Sequence, residues 1–278
     1  MTAVLSLSEP WVRALLLPFV ASGVSVAVIR LLLGEGRGAI LSNAGIGIGI
    51  LSAHLAIFGL PDWPANGLVE KMFWLAAGGL VLGSLVDRFS VPMPIGLILI
   101  LGWPVLSILW IVQPDLGGHT TGLALMRFGG LIVGGIIIFV RLDQEQDNGQ
   151  NAPLMVLWAG ATLAALAALY GLMTSGEIAA AVAAATLGYL IWNIPVSRYP
   201  MGHATILPAG SIILALSSAF IVVRPGADLA LLFLVALFFA NRIGNALFKG
   251  RRKMTPFIVT LGALIPASAS LAIAWILM

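Results

Sequence analysis

The sequence predicts an all-α, polytopic integral membrane protein with about ten transmembrane helices, and nine is the alternative count. Composition is the first observation behind this prediction, because hydrophobic residues make up 60% of the 278-residue chain and charged residues only 9%. Soluble domains carry about 25% charged residues. Spacing is the second observation: the charges fall between apolar runs that approach the roughly 20 residues a helix needs to cross a bilayer.

The apolar runs define ten predicted spans. In chain order they are 10–33, 39–60, 72–86, 95–112, 122–140, 153–173, 177–194, 204–223, 229–248 and 256–278. Each is predicted to be helical, because a segment in hydrocarbon must satisfy its own backbone hydrogen bonds. The runs lack the alternating pattern of a membrane β-barrel. The third run is short and the connection near Ser175 is tight, so nine spans remain the alternative.

Turn residues mark several boundaries. A GEGRG sequence ends the first span, a PDWP sequence ends the second, and Asp87 with Arg88 ends the third. Pro92 and Pro94 precede the fourth span. Pro153 lies in the predicted first turn of the sixth span, a position that favours proline. These signals fit short polar connections between successive helices.

The polar sequence LDQEQDNGQN, which begins at Leu142, divides the chain into two membrane halves. It holds three of the eleven acidic residues. We predict a first half of five helices at 1–141, a polar linker in water at 142–152, and a second half of five helices at 153–278. If halves with an odd number of spans share a fold, they must have inverted orientations, a plan common in secondary transporters.

In length and in this five-plus-five layout the chain resembles the drug/metabolite transporter superfamily. The resemblance concerns the layout and extends to no residue motif. It implies a carrier with inverted halves and assigns no functional residue.

The distribution of Lys and Arg predicts the sidedness of the loops. With the loop after the first span in the cytoplasm, ten of the fourteen cations fall on the cytoplasmic side, as the positive-inside rule requires. We therefore predict a multi-pass protein of the cytoplasmic (inner) membrane. Both termini are expected to be external, or periplasmic, and the segments 142–152 and 249–255 are expected to be cytoplasmic.

Polar residues inside the predicted spans are candidates for a substrate path, because a charge near mid-bilayer costs about 3 kcal/mol or more. The second span carries four residues at helical spacing on one face: Asn43, Gly47, Ile50 and His54. In that interpretation His54 could carry a proton near neutral pH. The alternative is close helix packing through Gly45 and Gly49, with the polar groups bonded to neighbouring helices.

The ninth span carries a second predicted polar stripe: Asn241, Asn245 and Lys249. Gly244 is expected to open space beside it. Arg242 either extends to lipid headgroups or reaches inward to an acid or an anionic substrate. Arg127 in the fifth span has the same two interpretations, and the glycines that follow it could line an anion path. The complete set of substrate-path candidates is Asn43, His54, Arg127, Asn241, Arg242 and Asn245.

Motifs for catalysis and cofactor binding were not found in the sequence. Cysteine is absent, which excludes thiolate metal sites, and neither an HExxH motif nor a GxSxG elbow occurs. Single cations between apolar runs do not form a nucleic-acid surface. We predict no catalytic residue, no metal, no cofactor and no nucleic-acid partner. The expected partners are the lipid bilayer and either a second copy or other membrane subunits.

Two functions fit these observations. The first is a carrier or permease for a small neutral or anionic solute. The second is a non-catalytic structural or assembly subunit of a larger membrane complex. An intramembrane enzyme acting on lipid has less support, since only the cationic rim favours it. The scarcity of Asp and Glu inside the spans disfavours a carrier or pump with an acidic proton relay.

Overall fold

The structure, a computed structural model, describes residues 9–89, 91–116, 122–147, 149–224, 226–247 and 255–278. Within these ranges the chain forms helices and turns without any strand, which confirms the all-α prediction. A π-helical turn at Val12–Leu16 leads directly into the first helix. The helices are α1 (Leu17–Leu41), α2 (Ala44–Phe58), α3 (Leu68–Phe89), α4 (Met93–Leu116), α5 (Gly122–Gln144), α6 (Asn151–Leu169), α7 (Met173–Leu190), α8 (His203–Val223), α9 (Ala227–Leu237), α10 (Ala240–Leu247) and α11 (Thr255–Ile276).

The helices have the length and polarity of membrane spans. Six in the described ranges are long and apolar enough to cross a bilayer, and α9 with α10 would make a seventh if they form one bent span. Large apolar side chains such as Leu31, Ile98 and Trp275 are mostly exposed, as a surface in contact with lipid requires. The chain is therefore a multi-pass membrane protein by composition and helix length.

Four predicted spans differ from the observed helices. The first helix does not end at the GEGRG sequence but continues to Leu41 across a kink at Gly34, which has a φ of 76°. The third, predicted to be short, has 22 residues. The second is shorter than expected, because α2 has 15 residues and extends roughly 22 Å, against about 30 Å of hydrocarbon. The ninth is broken into α9 and α10, whose axes differ by 67°. Hydropathy could not predict this break, because the sequence stays apolar through Phe238 and Phe239 and tertiary contacts hold the bend.

The core of the bundle is α8, of which almost every residue is buried. Helix α3 crosses it closely at two glycines, one turn apart on one face. A Cβ atom at Gly79 would lie 3.0 Å from Leu207, and one at Gly83 would lie 2.3 Å from the carbonyl oxygen of His203. Backbones approach this closely in membrane helices only where small residues face the partner. The contact brings the end of α3 beside the start of α8.

Helices α1, α2 and α7 form a second closely packed group. A Cβ atom at Gly45 would lie 2.9 Å from the carbonyl oxygen of Ser22, and one at Gly49 would lie 2.7 Å from that of Pro18. The two glycines therefore contact α1, as the packing interpretation of this pair predicts. Helix α7 approaches α1 in the same way at Gly188.

The close crossing of α3 and α8 predicts that a larger residue at Gly83 destabilises the protein. We expect Gly83→Ala to lower the free energy of unfolding by about 1–3 kcal/mol, the usual cost of overpacking. Gly102→Ala in α4 is the matched control, because a Cβ atom there meets nothing within 4 Å and alanine favours a helix by up to about 1 kcal/mol. Thermal unfolding in mild detergent measures both. Equal melting temperatures for the two variants would contradict the close crossing.

Candidate functional site

Asp87, at the end of α3, is the centre of a buried hydrogen-bond network. Its carboxylate accepts the backbone N–H groups of His203 and Ala204, each at 3.0 Å, and the Asn43 amide at 3.1 Å. The Nδ1 atom of His203 lies 2.9 Å from the same carboxylate. Asp87 therefore caps the N-terminus of α8 from another helix and satisfies backbone donors that would otherwise lack partners.

His203 lies between two carboxylates that come from different helices. Its Nδ1 atom contacts Asp87, and its Nε2 atom lies 3.6 Å from Oδ1 of Asp143 in the last turn of α5. The Asp143 carboxylate also accepts the side-chain amide of Gln146 at 3.2 Å. This arrangement joins the ends of α3 and α5 to the start of α8.

Arg141 connects the same turn of α5 to the break between α9 and α10. Its Nε donates to the carbonyl oxygen of Phe238 at 3.4 Å, and one Nη donates to Asn241 Oδ1 at 3.1 Å. Glu145 accepts from Arg141 at 3.2 Å and also accepts the Asn241 amide. Because Arg141 satisfies a carbonyl at the bend, a broken helix is tolerated at this position.

The polar network is the name used below for the residues joined through the last turn of α5: Asn43, Asp87, Arg141, Asp143, Glu145, His203 and Asn241. The predicted linker 142–152 includes the end of α5, the connection between α5 and α6, and the start of α6, and its described residues are not a free loop in water. Gln150 is 6% exposed and donates to the carbonyl oxygens of Asn193 and Pro195. Met201 N–H donates to the Gln146 carbonyl at 2.9 Å. The linker is therefore packed against the 191–202 loop.

His54 lies away from the polar network, where the end of α2 meets the start of α3. Its Nε2 atom is 3.0 Å from the carbonyl oxygen of Val69, and the rings of Phe58 and Phe73 pack on it at centroid distances of 4.8 and 5.4 Å. The carbonyl contact places a hydrogen on Nε2, and Nδ1 is buried without a hydrogen-bond partner among the described residues. In the described part of the chain, His54 is therefore a histidine packed between α2 and α3.

A cavity of about 270 Å³ lies between α5, α8 and α9. Most of its lining is apolar, and three glycines of α5 contribute to it: Gly130, Gly134 and Gly135. At the end formed by the starts of α5 and α9, Arg127 Nε lies 3.3 Å from Asp228 Oδ2. The cavity therefore combines an apolar body with one ion pair, and it lies next to the broken helix.

The candidate residues predicted from sequence fall into three groups. Asn43 and Asn241 are buried in the polar network. His54, near the end of α2, and Arg127, near the start of α5, lie outside this network. Arg242 and Asn245 are exposed. On the predicted stripe of the ninth span, Asn241 is therefore buried whereas Asn245, four residues later, is exposed. The expected space at Gly244 is filled, because a Cβ atom there would lie 2.2 Å from the Ile258 carbonyl oxygen.

Other candidate features have separate outcomes. The guanidinium of Arg242 lies 5.8 Å from the centroid of the Phe239 ring, and whether the side chain extends to headgroups or binds an anion stays a prediction. Lys249 and the cations of the 249–255 loop lie outside the described residues. No cluster of three or more metal-binding side chains occurs in the part of the chain that the structure describes.

Sequence reasoning missed the roles of Asp87, Asp143 and His203. Each lies at a helix end, where a charge is ordinarily solvated, so its position along the chain carried no signal of burial. The available signal was the pair Gly79 and Gly83, four residues apart on the face of α3 that leads to Asp87.

No protein-family model matches the sequence, and no curated protein is significantly similar to it.

The Arg141 contacts predict unequal effects for two neighbouring asparagines. Asn241→Ala leaves the buried Arg141 and Glu145 without a shared partner, which we expect to cost about 1–3 kcal/mol of unfolding free energy. Asn245→Ala is the control, because this side chain is exposed and surface changes usually stay within about 0.5 kcal/mol. Melting temperatures in detergent compare the two variants. A larger loss at Asn245 would refute the assignment of Asn241 to the polar network.

Proposed function

We propose that the protein is a membrane carrier for a small neutral or anionic solute, with its binding site in the cavity between α5, α8 and α9. The observation behind this proposal is the position of the cavity. Helix α5 belongs to the predicted first half of the chain, whereas α8 and α9 belong to the second. In secondary transporters the substrate site lies between the two repeats.

The dimensions and lining of the cavity favour a small solute. Its volume of about 270 Å³ falls just below the range of about 300–1,000 Å³ typical of drug-sized ligands. Arg127 and Asp228 supply a donor and an acceptor at one end, and their charges balance. A solute with an apolar body and a neutral polar group fits without adding net charge, while an anionic group would compete with Asp228 for Arg127.

The break between α9 and α10 supports a carrier over a static scaffold. Discontinuous helices line the substrate sites of many transporters, and α9 contributes Leu231, Leu234 and Val235 to this cavity. Domain closure generally uses a few residues at the ends of elements as a hinge. Phe238 and Phe239, between α9 and α10, occupy such a position in this chain.

We also propose the ten-span threading of an inner-membrane protein, with external termini and a cytoplasmic linker. This threading is supported by contacts between the ends of helices that are not consecutive in the chain. Asp87, Asp143 and His203 meet at one end of α3, α5 and α8, whereas Arg127 and Asp228 meet where α5 and α9 begin. This pattern is the one expected if successive helices run in opposite directions.

Single cysteines can test the threading, because the natural chain has none. Asp62→Cys, in the exposed connection before α3, should react with a membrane-impermeant maleimide on intact cells. Asp147→Cys, exposed in the linker, should react only after permeabilisation. Labelling of both positions from outside, or the reverse pattern, would refute the proposed sidedness.

Two adjacent glycines of α5 provide a matched test of the carrier site. Gly130 lines the cavity and Gly129 does not, and a Cβ atom meets nothing within 4 Å at either position. Gly130→Leu should fill the cavity and reduce solute uptake into proteoliposomes at least about tenfold, which corresponds to about 1.4 kcal/mol of lost binding. Gly129→Leu should keep the wild-type rate.

Three outcomes of this test are informative. Saturable wild-type uptake that only Gly130→Leu abolishes supports the site. Equal loss in both variants contradicts it. Wild-type uptake no faster than in empty vesicles, across a panel of neutral and anionic solutes, would refute the carrier, and stoichiometric co-purification with other membrane proteins would then favour the assembly-subunit alternative.

A further inference from the structure

The hydrogen-bond partners of Asp87 determine which ring nitrogen of His203 carries a hydrogen. The backbone N–H groups of His203 and Ala204 can only donate, and so can the Asn43 amide nitrogen that contacts it. A carboxylate surrounded by donors is stabilised in its ionised form. The fourth contact, from His203 Nδ1, is therefore an N–H donor, and this bond fixes the ring tautomer.

This tautomer leaves His203 Nε2 facing Asp143 at 3.6 Å. In a neutral ring with the hydrogen on Nδ1, Nε2 presents a lone pair. A lone pair and an ionised carboxylate repel each other at that distance. One proton taken from water and held between Nε2 and Asp143 Oδ1 converts the repulsion into a charge-assisted hydrogen bond. The geometry provides a place for one proton, and a side-chain adjustment of about 0.5 Å brings Nε2 and Oδ1 to hydrogen-bond distance.

The other charges around His203 also favour a bound proton. Asp87 and Asp143 face the ring directly, and Asp147 in the linker adds a third carboxylate near Asp143. The nearest cation on α5, Arg141, is paired with Glu145 at 3.2 Å. Arg88, next to Asp87, lies over the ring of Phe89 at 5.9 Å. The local charge is therefore negative before the proton binds.

The bound proton would connect two helices that line the cavity. Asp143 ends α5, which contributes Gly134 and Ile138 to the cavity wall, and His203 begins α8, which contributes Leu214. Loss of the proton restores repulsion between the two helix ends and favours their separation. Separation at this end would open a route from the cavity to the linker side of the protein.

We propose that His203 and Asp143 form the proton-binding site of a proton-coupled carrier. The coupling rests on the proposed carrier function, whereas the proton site itself does not. The sequence disfavoured an acidic relay because the span interiors hold few carboxylates. The acids of this site lie at helix ends, and the close crossing of α3 and α8 buries Asp87 there.

The proton site can be tested without a substrate by thermal unfolding in detergent from about pH 5.5 to pH 8.5. The protonated form makes one more bond than the deprotonated form, so the melting temperature of the wild type should fall by a few degrees as pH rises through neutrality. Asp143→Asn should remove this dependence and keep the higher melting temperature, because its amide donates to the Nε2 lone pair without a bound proton.

Two further variants serve as controls. Asp147→Asn removes one negative charge from the same segment without touching the ring, so its melting temperature should still fall across neutrality, with a midpoint at slightly lower pH than in the wild type. His203→Asn keeps a donor toward Asp87 but cannot titrate, and its melting curve should be independent of pH across neutrality. A wild-type melting temperature that does not change over this range, or a dependence that persists in Asp143→Asn, would overturn the proton site.

The coupling is tested by uptake into proteoliposomes under an imposed pH difference of about one unit. One proton per solute permits about tenfold accumulation in the wild type, and Asp143→Asn should only equilibrate the solute. A pH-dependent melting temperature without any uptake supports the proton site and overturns the carrier. Uptake that is insensitive to the pH difference overturns the coupling and leaves the carrier in place.

Discussion

The Asp87 carboxylate is the constraint on which the arrangement of the helices depends. The start of a helix presents backbone donors without partners, and in a bilayer these cannot be left unsatisfied at low cost. Here the partner comes from α3, whose last turn places Asp87 on the first two N–H groups of α8. Helix α8 is the most buried of the described helices. Because the Asp87 cap fixes the position of α8, it also fixes where the neighbouring helices can pack.

The cap requires that α3 and α8 approach closely, and glycines permit that approach. Any side chain at Gly83 would overlap the His203 carbonyl, so the helices could not place Asp87 within hydrogen-bond distance. The packing and the polar contacts are therefore one feature: small residues bring the backbones together and the carboxylate then satisfies the exposed donors. Arg141 has the equivalent role at the break between α9 and α10, where it donates to the Phe238 carbonyl oxygen.

The fold class could be predicted from the sequence because hydropathy and helix length are local properties. Most helix boundaries agree with the predicted spans within a few residues for the same reason. The break after α9 and the shortness of α2 could not be predicted, because both depend on contacts between distant segments. In the candidate site, Asn43 and Asn241 are the two predicted residues that lie buried in the polar network. Their partner Asp87 was predicted only to end a span, and Arg141 was not singled out, since sequence position does not reveal that a helix end is covered.

Helix α5 connects the two charged contacts that the proposed mechanism uses. At its start Arg127 faces Asp228, and at its end Asp143 faces His203. The first pair is balanced in charge and needs no bound proton to be attractive. The second is attractive only while a proton is bound, because His203 already donates its other ring hydrogen to Asp87. A helix fixed at one end and conditionally fixed at the other can tilt about the fixed end. In the proposed carrier the cavity, which lies along α5 between the two pairs, would change its access at the Asp143 end when the proton binds or leaves.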